Sequence, residues 1–400
     1  MRLATPTGAA QHLSYCTNIH PAETLGEVRA ALARYVPAVK TSVAPDAEFG
    51  VGLRLSARAA RELMAAGALS ELRSFLSAQG LYVFTLNGFP YGAFHGQRVK
   101  QRVYEPDWRS AERVEYTRQL AVALAGLLPA GTPGSISSVP GGWRAAVSGK
   151  ADLDSMADHM LQSAAQLFEI GERSGCELAL ALEPEPGCVL ETIAQAVEFF
   201  ETRLFSERAV RRLAELSGAS TGRAAELLRV HIGLCLDTCH AAVEFEDPPE
   251  LLSQLARAGI GVKKLQLSSG LRVPHVDAAA KAALAAFAED VYLHQTVERR
   301  AGELHRYDDL PDALSATPDD GRSEWRVHFH VPVFLESYGI LQSTQGFLRE
   351  ILQLQAAEPI SSHLEVETYT WDVLPAPLRG SDVTAAISRE LEFVLREVSR

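Results

Sequence analysis

Short apolar runs alternate with longer stretches whose apolar positions recur every three or four residues. Residues 12–18 (HLSYCTN), 49–55 (FGVGLRL), 81–86 (LYVFTL), 134–139 (GSISSV), 177–182 (ELALAL), 232–236 (IGLCL) and 262–267 (VKKLQL) read as seven successive strands. Residues 363–369 (HLEVETY) read as a late one. Between them lie helical patterns. Leu25, Val28, Leu32 and Tyr35 make one apolar stripe. An Ala-rich helix runs to Leu76, others cover about 110–128 and 153–173, and residues 191–229 read as two helices broken near Ser217-Gly218. Asp247-Pro248-Pro249 is a helix start, and a further helix lies near 344–355.

A strand–helix rhythm repeated about eight times predicts a mainly parallel sheet with helices outside, an α/β chain built as a (β/α)8 TIM barrel. No Gly/Ser-rich linker divides the sequence. One domain over 1–400 is expected, with an insertion at about 271–324 after the seventh strand, where the rhythm fails. Residues 327–334 (VHFHVPVF) are a surplus strand candidate. Pro332 argues against a central position for it, and sequence alone does not place it.

Of the 400 residues, 47% are hydrophobic, ample for a full core. The net charge of −12 and the lack of basic clusters exclude nucleic acid as an expected partner. Five scattered cysteines form no disulfide framework and suggest a reducing compartment. The first residues have no long apolar core, and there is no run of about 18 apolar residues. The expectation is a cytoplasmic protein without membrane insertion.

The chemistry-bearing residues sit where core strands run out. Glu183 and Glu185 close the fifth strand, Asp237 and His240 the sixth, and Gln266 the seventh. Glu365 and Glu367 share one side of the last strand with His363. Glu367, nearer the strand end, is the preferred ligand, with Glu365 deeper. His328 and His330, two apart, also share a side. Asp237 and His240 could converge on a cation or merely cap a helix; the repeated polar strand ends favour the former. Glu183, Asp237, His240, His330 and Glu367 make a carboxylate and imidazole set for one divalent ion, without choosing among Mn, Zn, Co, Fe and Mg. Gln266, His328, Glu185 and Trp371 are candidates for contacting a small hydroxylated substrate. No Walker loop, HExxH or GxSxG motif occurs.

Leu-Glu-Pro at 182–184, Leu-Asp-Thr-Cys-His at 236–240 and Val-Glu-Thr at 366–368 resemble the xylose-isomerase-like TIM barrel superfamily of sugar isomerases and epimerases. HLSYCTNIHP, LYVFTLNGFPYGAFHG, LCLDTCHAAVEF, VHFHVPVF and HLEVETYTWDVLP resemble, more specifically, the metabolite traffic protein EboE family. The superfamily resemblance implies one divalent metal held by Glu183, Asp237, a seventh-strand histidine and Glu367, with His240 at substrate or metal. Gln266 stands where that histidine is expected, so His330 or His328 replaces it or the site is altered. The implied activity is isomerase- or epimerase-like, a 1,2-proton transfer with Glu183 and Glu367 as base and acid. The narrower family implies an operon for metabolite processing and export, with partner proteins and oligomers possible. A non-catalytic metabolite-binding barrel is the alternative. An endonuclease-IV-like phosphoesterase is disfavoured by the acidic charge.

Overall fold

The computed structural model describes residues 1–3, 10–316, 318–375, 379 and 382–399. Strands are numbered in chain order. β1 (Arg2–Leu3), β2 (Gln11–Tyr15), β3 (Phe49–Arg54), β4 (Leu81–Asn87), β5 (Gly134–Ser138), β6 (Leu178–Leu182), β7 (Ile232–Asp237) and β8 (Val262–Leu267) come first. β9 (Leu271–Val273), β10 (Thr296–Arg300), β11 (Glu303–Tyr307), β12 (Ser323–Val327), β13 (Ser337–Tyr338) and β14 (Leu341–Ser343) follow, and the chain then returns to β15 (His363–Val366).

Among the described residues, β1 to β8 and β15 form one nine-stranded sheet in the order β1-β2-β15-β8-β7-β6-β5-β4-β3. Only β1 pairs antiparallel; the other ladders are parallel. The sheet curls until β2 meets β3. There the seam is held by a bridge between Cys16 and Gly52 and by the Ser14 hydroxyl, which donates to Gly50 O at 2.8 Å and accepts from Gly52 N at 2.7 Å. This is a nearly closed TIM barrel, as the rhythm predicts. Its strands are buried throughout apart from the short edge strand β1 and the first residues of β8, because helices cover the outer face.

The helices start where the chain's small polar residues allow. Thr24 and Glu27 form a reciprocal capping box on Leu25–Val43, and Asp247 caps Pro248–Ala258. Two expected helices are subdivided. The Ala-rich one breaks at Gly67 (φ 87°) into Ala57–Leu63 and Ala68–Ala78. The 191–229 stretch forms Ile193–Phe199, Glu207–Ser217 and Thr221–His231.

Strands β9 to β14 build a second, six-stranded sheet with its own apolar cluster around Trp325, Phe329, Leu284 and Leu310. This insertion follows the seventh barrel strand and reaches Ser343, past residue 324. The 327–334 strand does not form: only Val327 is in a strand. Beyond it His328 N donates to Gln295 O, Phe329 N to Val327 O and Val331 N to Ser269 O, and Pro332 has no N–H, so no ladder can run. No described helix is long and apolar enough to cross a membrane.

The barrel interior is polar, unlike the branched aliphatic layers common in this fold. Its lowest layer includes Thr85, Ser135 and His363, joined by hydrogen bonds of 2.8 Å and 2.7 Å. Above it, Lys264 Nζ lies 2.6 Å from Glu365 Oε1 and 3.4 Å from Ser137 Oγ, with no solvent exposure of either charged side chain. A Cβ on Gly52 would lie 1.5 Å from Glu365 Oε2, so the missing side chain makes room for that carboxylate.

The C-terminal helix Val383–Val398 sends the buried Glu390 inward. Its Oε1 accepts from Thr368 Oγ1 at 2.6 Å and from Val333 N at 3.1 Å. Burial pushes this carboxyl up to about 7, against the pull of those two bonds. With an unfolded value of about 4.3, the stability it contributes is present in full below about pH 4 and is lost as pH rises towards 7. Glu390→Gln keeps an acceptor and cannot ionise. Its stability relative to the parent is expected to rise by on the order of 3 kcal/mol between pH 4 and 8. Denaturant titrations of both proteins across that range check this, and a constant difference would contradict it.

Candidate metal centre

Each acidic residue at the barrel mouth is placed by the end of its strand. Glu183 follows β6, its N–H donating to Ser138 O. Asp237 is the last residue of β7 and also caps the helix Thr238–Val243. Glu367 follows β15, its N–H donating to Leu267 O. Oxygens of the three carboxylates lie within 4.8 Å of one another, all buried. Like charges this close in a low-dielectric interior repel strongly. Burial, then Glu367 and Asp237, raise the Glu183 carboxyl well above its usual range, with Lys264 pulling the other way. Burial, then Asp237 and Glu365, push Glu367 up to about 8, against Lys264 and the Asn18 hydrogen bond.

Asp237 differs. Burial raises its carboxyl, but His240, His330, Ser268 and the His240 N–H outweigh that and hold it below its usual range. Its Oδ1 accepts from Cys239 N (2.7 Å), His240 N (3.0 Å) and Ser268 Oγ (2.6 Å). Its Oδ2 is buried without a hydrogen-bond partner.

Three imidazoles converge on the same place. His330 Nδ1 lies 2.9 Å from Glu367 O, leaving its buried Nε2 without a partner, 4.0 Å from Asp237 Oδ2. Burial lowers His330 to about 4 despite Asp237, so its ring is neutral at pH 7. His240 Nε2 is 3.9 Å from Asp237 Oδ2 and 3.1 Å from His328 Nε2. An unpaired carboxylate oxygen and an unpaired ring nitrogen, both buried and facing each other, are costly unless a cation lies between them. The donor set therefore fits a divalent ion.

The other expected residues separate by depth. Glu185 lines the cavity, and its Oε1 accepts from Tyr104 OH at 2.6 Å. His328 lines it too. Gln266 is fully buried beneath it, with neither amide atom partnered. Trp371 does not line the cavity. This corrects its expected role: the half-buried ring packs against both apolar clusters, because the Tyr369–Val373 turn carries it aside.

Several residues here carried no sequence assignment. Asn18 and Asn87 donate to Glu367 Oε1 at 2.7 and 3.1 Å. Tyr104 is sandwiched between Phe89 and Trp143, with ring centroids at 5.7 and 5.3 Å. Gln295, on the insertion, donates to Tyr104 OH and to Pro186 O at 2.8 and 2.9 Å. Tyr292 and Leu293, also from the insertion, help wall the cavity, as do Phe89, Phe94 and Tyr369. Lys100, at the start of the Lys100–Tyr104 turn, reaches Asp309 of the insertion at 2.7 Å. The cavity of about 50 Å³ has a charged floor and largely apolar walls.

No protein-family model matches the chain, and no curated protein matches it either. Solved structures do. A xylose isomerase-like TIM barrel protein from Mycobacterium smegmatis, in complex with magnesium, is 11% identical with a TM-score of 0.50, over 97% of this chain and 97% of that one. An L-ribulose 3-epimerase is 14% identical with a TM-score of 0.49, over 98% and 95%. The probable 3-DHS dehydratase AsbF from Bacillus anthracis is 12% identical with a TM-score of 0.46, over 96% and 98%. The chain has the xylose-isomerase-like TIM barrel fold.

Proposed function

We propose that this protein is a metal-dependent isomerase- or epimerase-like enzyme that moves a proton between adjacent carbons of a small hydroxylated carbonyl compound. The observation that carries this reading is the convergence of Glu183, Asp237 and Glu367 with the unpartnered Asp237 Oδ2 and His330 Nε2. Those three carboxylates would hold the ion, with His330 standing in for the histidine that Gln266 replaces. Bound there, a divalent cation supplies charge stabilisation to two neighbouring substrate oxygens.

The chain's own groups do the rest. Glu183 and Glu367 come from strands on different sides of the barrel and lie at the cavity floor. One takes the proton from the carbon beside the carbonyl, and the C–H electron pair moves to that carbon–carbon bond as the carbonyl oxygen gains charge. The other returns a proton to the neighbouring carbon or to the opposite face. Asn18 and Asn87 fix the Glu367 carboxylate, and apolar walls limit water. The resemblance to the metabolite traffic family supports a small-molecule substrate handled in a processing and export operon, on one barrel spanning 1–400.

Elemental analysis of the wild type and of Asp237→Ala tests the reading. At least about one equivalent of a divalent metal is expected in the wild type, and a loss of about one in the variant. Wild type that binds none after incubation with Mn, Zn, Co, Fe or Mg would leave the alternative, a barrel that binds a metabolite without turning it over.

A further inference from the structure

The walls of the mouth cavity come from two excursions outside the barrel. The segment after β4 supplies Phe89, Phe94, Val99 and Val103, and the insertion supplies Tyr292 and Leu293. Phe94, Val99 and Tyr292 pack together as an apolar cluster of their own, with Val103 and Tyr369 against it. The ring centroids of Phe94 and Tyr292 lie 6.1 Å apart, and those of Tyr292 and Tyr369 5.2 Å. The carboxylates of Glu183 and Glu367 lie below, just beyond the ends of β6 and β15.

The polar tips that this wall does possess are engaged with the protein itself. Tyr292 OH is 3.2 Å from His95 Nδ1. His95 Nε2 is 2.6 Å from Asn18 O, a carbonyl that can only accept. Burial lowers His95 below its ordinary range, so the ring is neutral at pH 7, its hydrogen is on Nε2, and Nδ1 takes the Tyr292 proton. Tyr104 OH donates to Glu185 Oε1 at 2.6 Å and accepts from Gln295 Nε2 at 2.8 Å. Lys100 Nζ donates to Asp309 Oδ2 at 2.7 Å and to Glu289 O at 3.0 Å. Among the described wall residues, that leaves Tyr369 with the one hydroxyl that has no hydrogen bond. A sugar carries a hydroxyl on nearly every carbon. With its reacting end on the carboxylate floor it would press several of them against this wall, and most would leave water without gaining a partner. An apolar chain in the same place gains from leaving water.

We propose that the ligand of this cavity is a hydroxy-carbonyl compound whose oxygens are confined to one end and whose remainder is apolar, and not a polyhydroxylated sugar. This inference rests on the hydroxy-carbonyl head proposed above and specifies what lies beyond it. The head meets the acidic floor, and the apolar remainder lies along Phe94, Val99 and Leu293. A phosphorylated end is disfavoured for a related reason: Lys100 is the one lysine or arginine among the described lining residues, and Asp309 already neutralises it.

The test is calorimetric titration of the full-length protein, in excess manganese, with matched pairs of ketones: 1-hydroxy-2-butanone against erythrulose, and 1-hydroxy-2-pentanone against ribulose. The members of a pair share chain length and the hydroxy-ketone head and differ only in the hydroxyls beyond it. The deoxygenated member is expected to bind about 10–100-fold tighter. Equal affinities, tighter binding of the sugar, or binding of neither overturns the inference. Leu293→Asn sets an amide in the wall and should shrink the preference; if that variant does not fold, Val103→Asn makes the same comparison. An unchanged preference in a folded variant means that the wall does not set it, and also overturns the inference. Deuterium exchange from heavy water separates this from the proton-transfer reading. A sugar that binds tighter than its deoxygenated partner and exchanges removes this inference and leaves proton transfer standing. A deoxygenated ketone that binds tighter and never exchanges does the reverse.

Discussion

Lys264→Met is expected to lower the unfolding free energy by about 3–5 kcal/mol. Lys264 and Glu365 are both without solvent exposure, 2.6 Å apart, under the carboxylate trio. Burial lowers the Lys264 ammonium, but Glu365, with Cys235 and Cys16 behind it, outweighs that and keeps it charged. Methionine fills similar volume and leaves Glu365 as a buried charge without its partner. The carboxylate cannot swing away into open space, because one of its oxygens already fills the gap left by Gly52. Lys264→Met/Glu365→Gln removes both charges and should recover most of the loss. Guanidinium denaturation of the single and double variants decides this: equal losses would mean that packing, not charge, holds the layer together. Lys264 also draws the Glu183 and Glu367 carboxyls down, so its loss should disturb the centre above as well as the fold.

Glu367→Gln should slow proton exchange by about 10²–10⁴-fold. Glutamine keeps an oxygen for Asn18 and Asn87, so the side chain should stay in place while losing its capacity to take and return a proton. The readout is deuterium incorporation from heavy water into a hydroxy-carbonyl ligand that the wild type binds. Exchange in the variant at the wild-type rate would remove Glu367 from the chemistry. A wild type that binds such a ligand and never exchanges its hydrogen would favour the binding-barrel alternative.

The barrel was legible because the strand–helix rhythm repeats, and in β6 and β7 the acids Glu183 and Asp237 stand out at the end of unbroken apolar runs. Glu367 was legible from its place at the end of the last strand. His330 was legible for a different reason from the one that holds. The two-residue spacing of His328 and His330 suggested a strand face, whereas the segment carries no ladder and its position comes from separate bonds to Gln295, Ser269 and Glu367. Lys264 left a faint trace, since it alternates with Gln266 in β8, where Lys263 stands beside it and hides the pattern. Tyr104, Gln295 and Asn18 left none: their roles depend on contacts with residues far along the chain, which local periodicity does not encode. The insertion's reach to Ser343 was hidden for a related reason. Its short strands are half exposed and charged, so they do not read as core runs.

The barrel closes by laying a strand from the beginning of the chain beside one from the end, His12 against His363 through Tyr15 against Val366. During synthesis the early strands can collapse and gather helices, but the cylinder stays open until β15 has left the ribosome. Glu367 arrives with that final strand. The emerging polypeptide therefore carries Glu183 and Asp237 for most of its assembly without the third acid, and the mutual repulsion of the trio is deferred to the last step of folding. Assembly of the acid trio is thereby tied to synthesis of β15: a product cut short before it lacks the group that finishes the site.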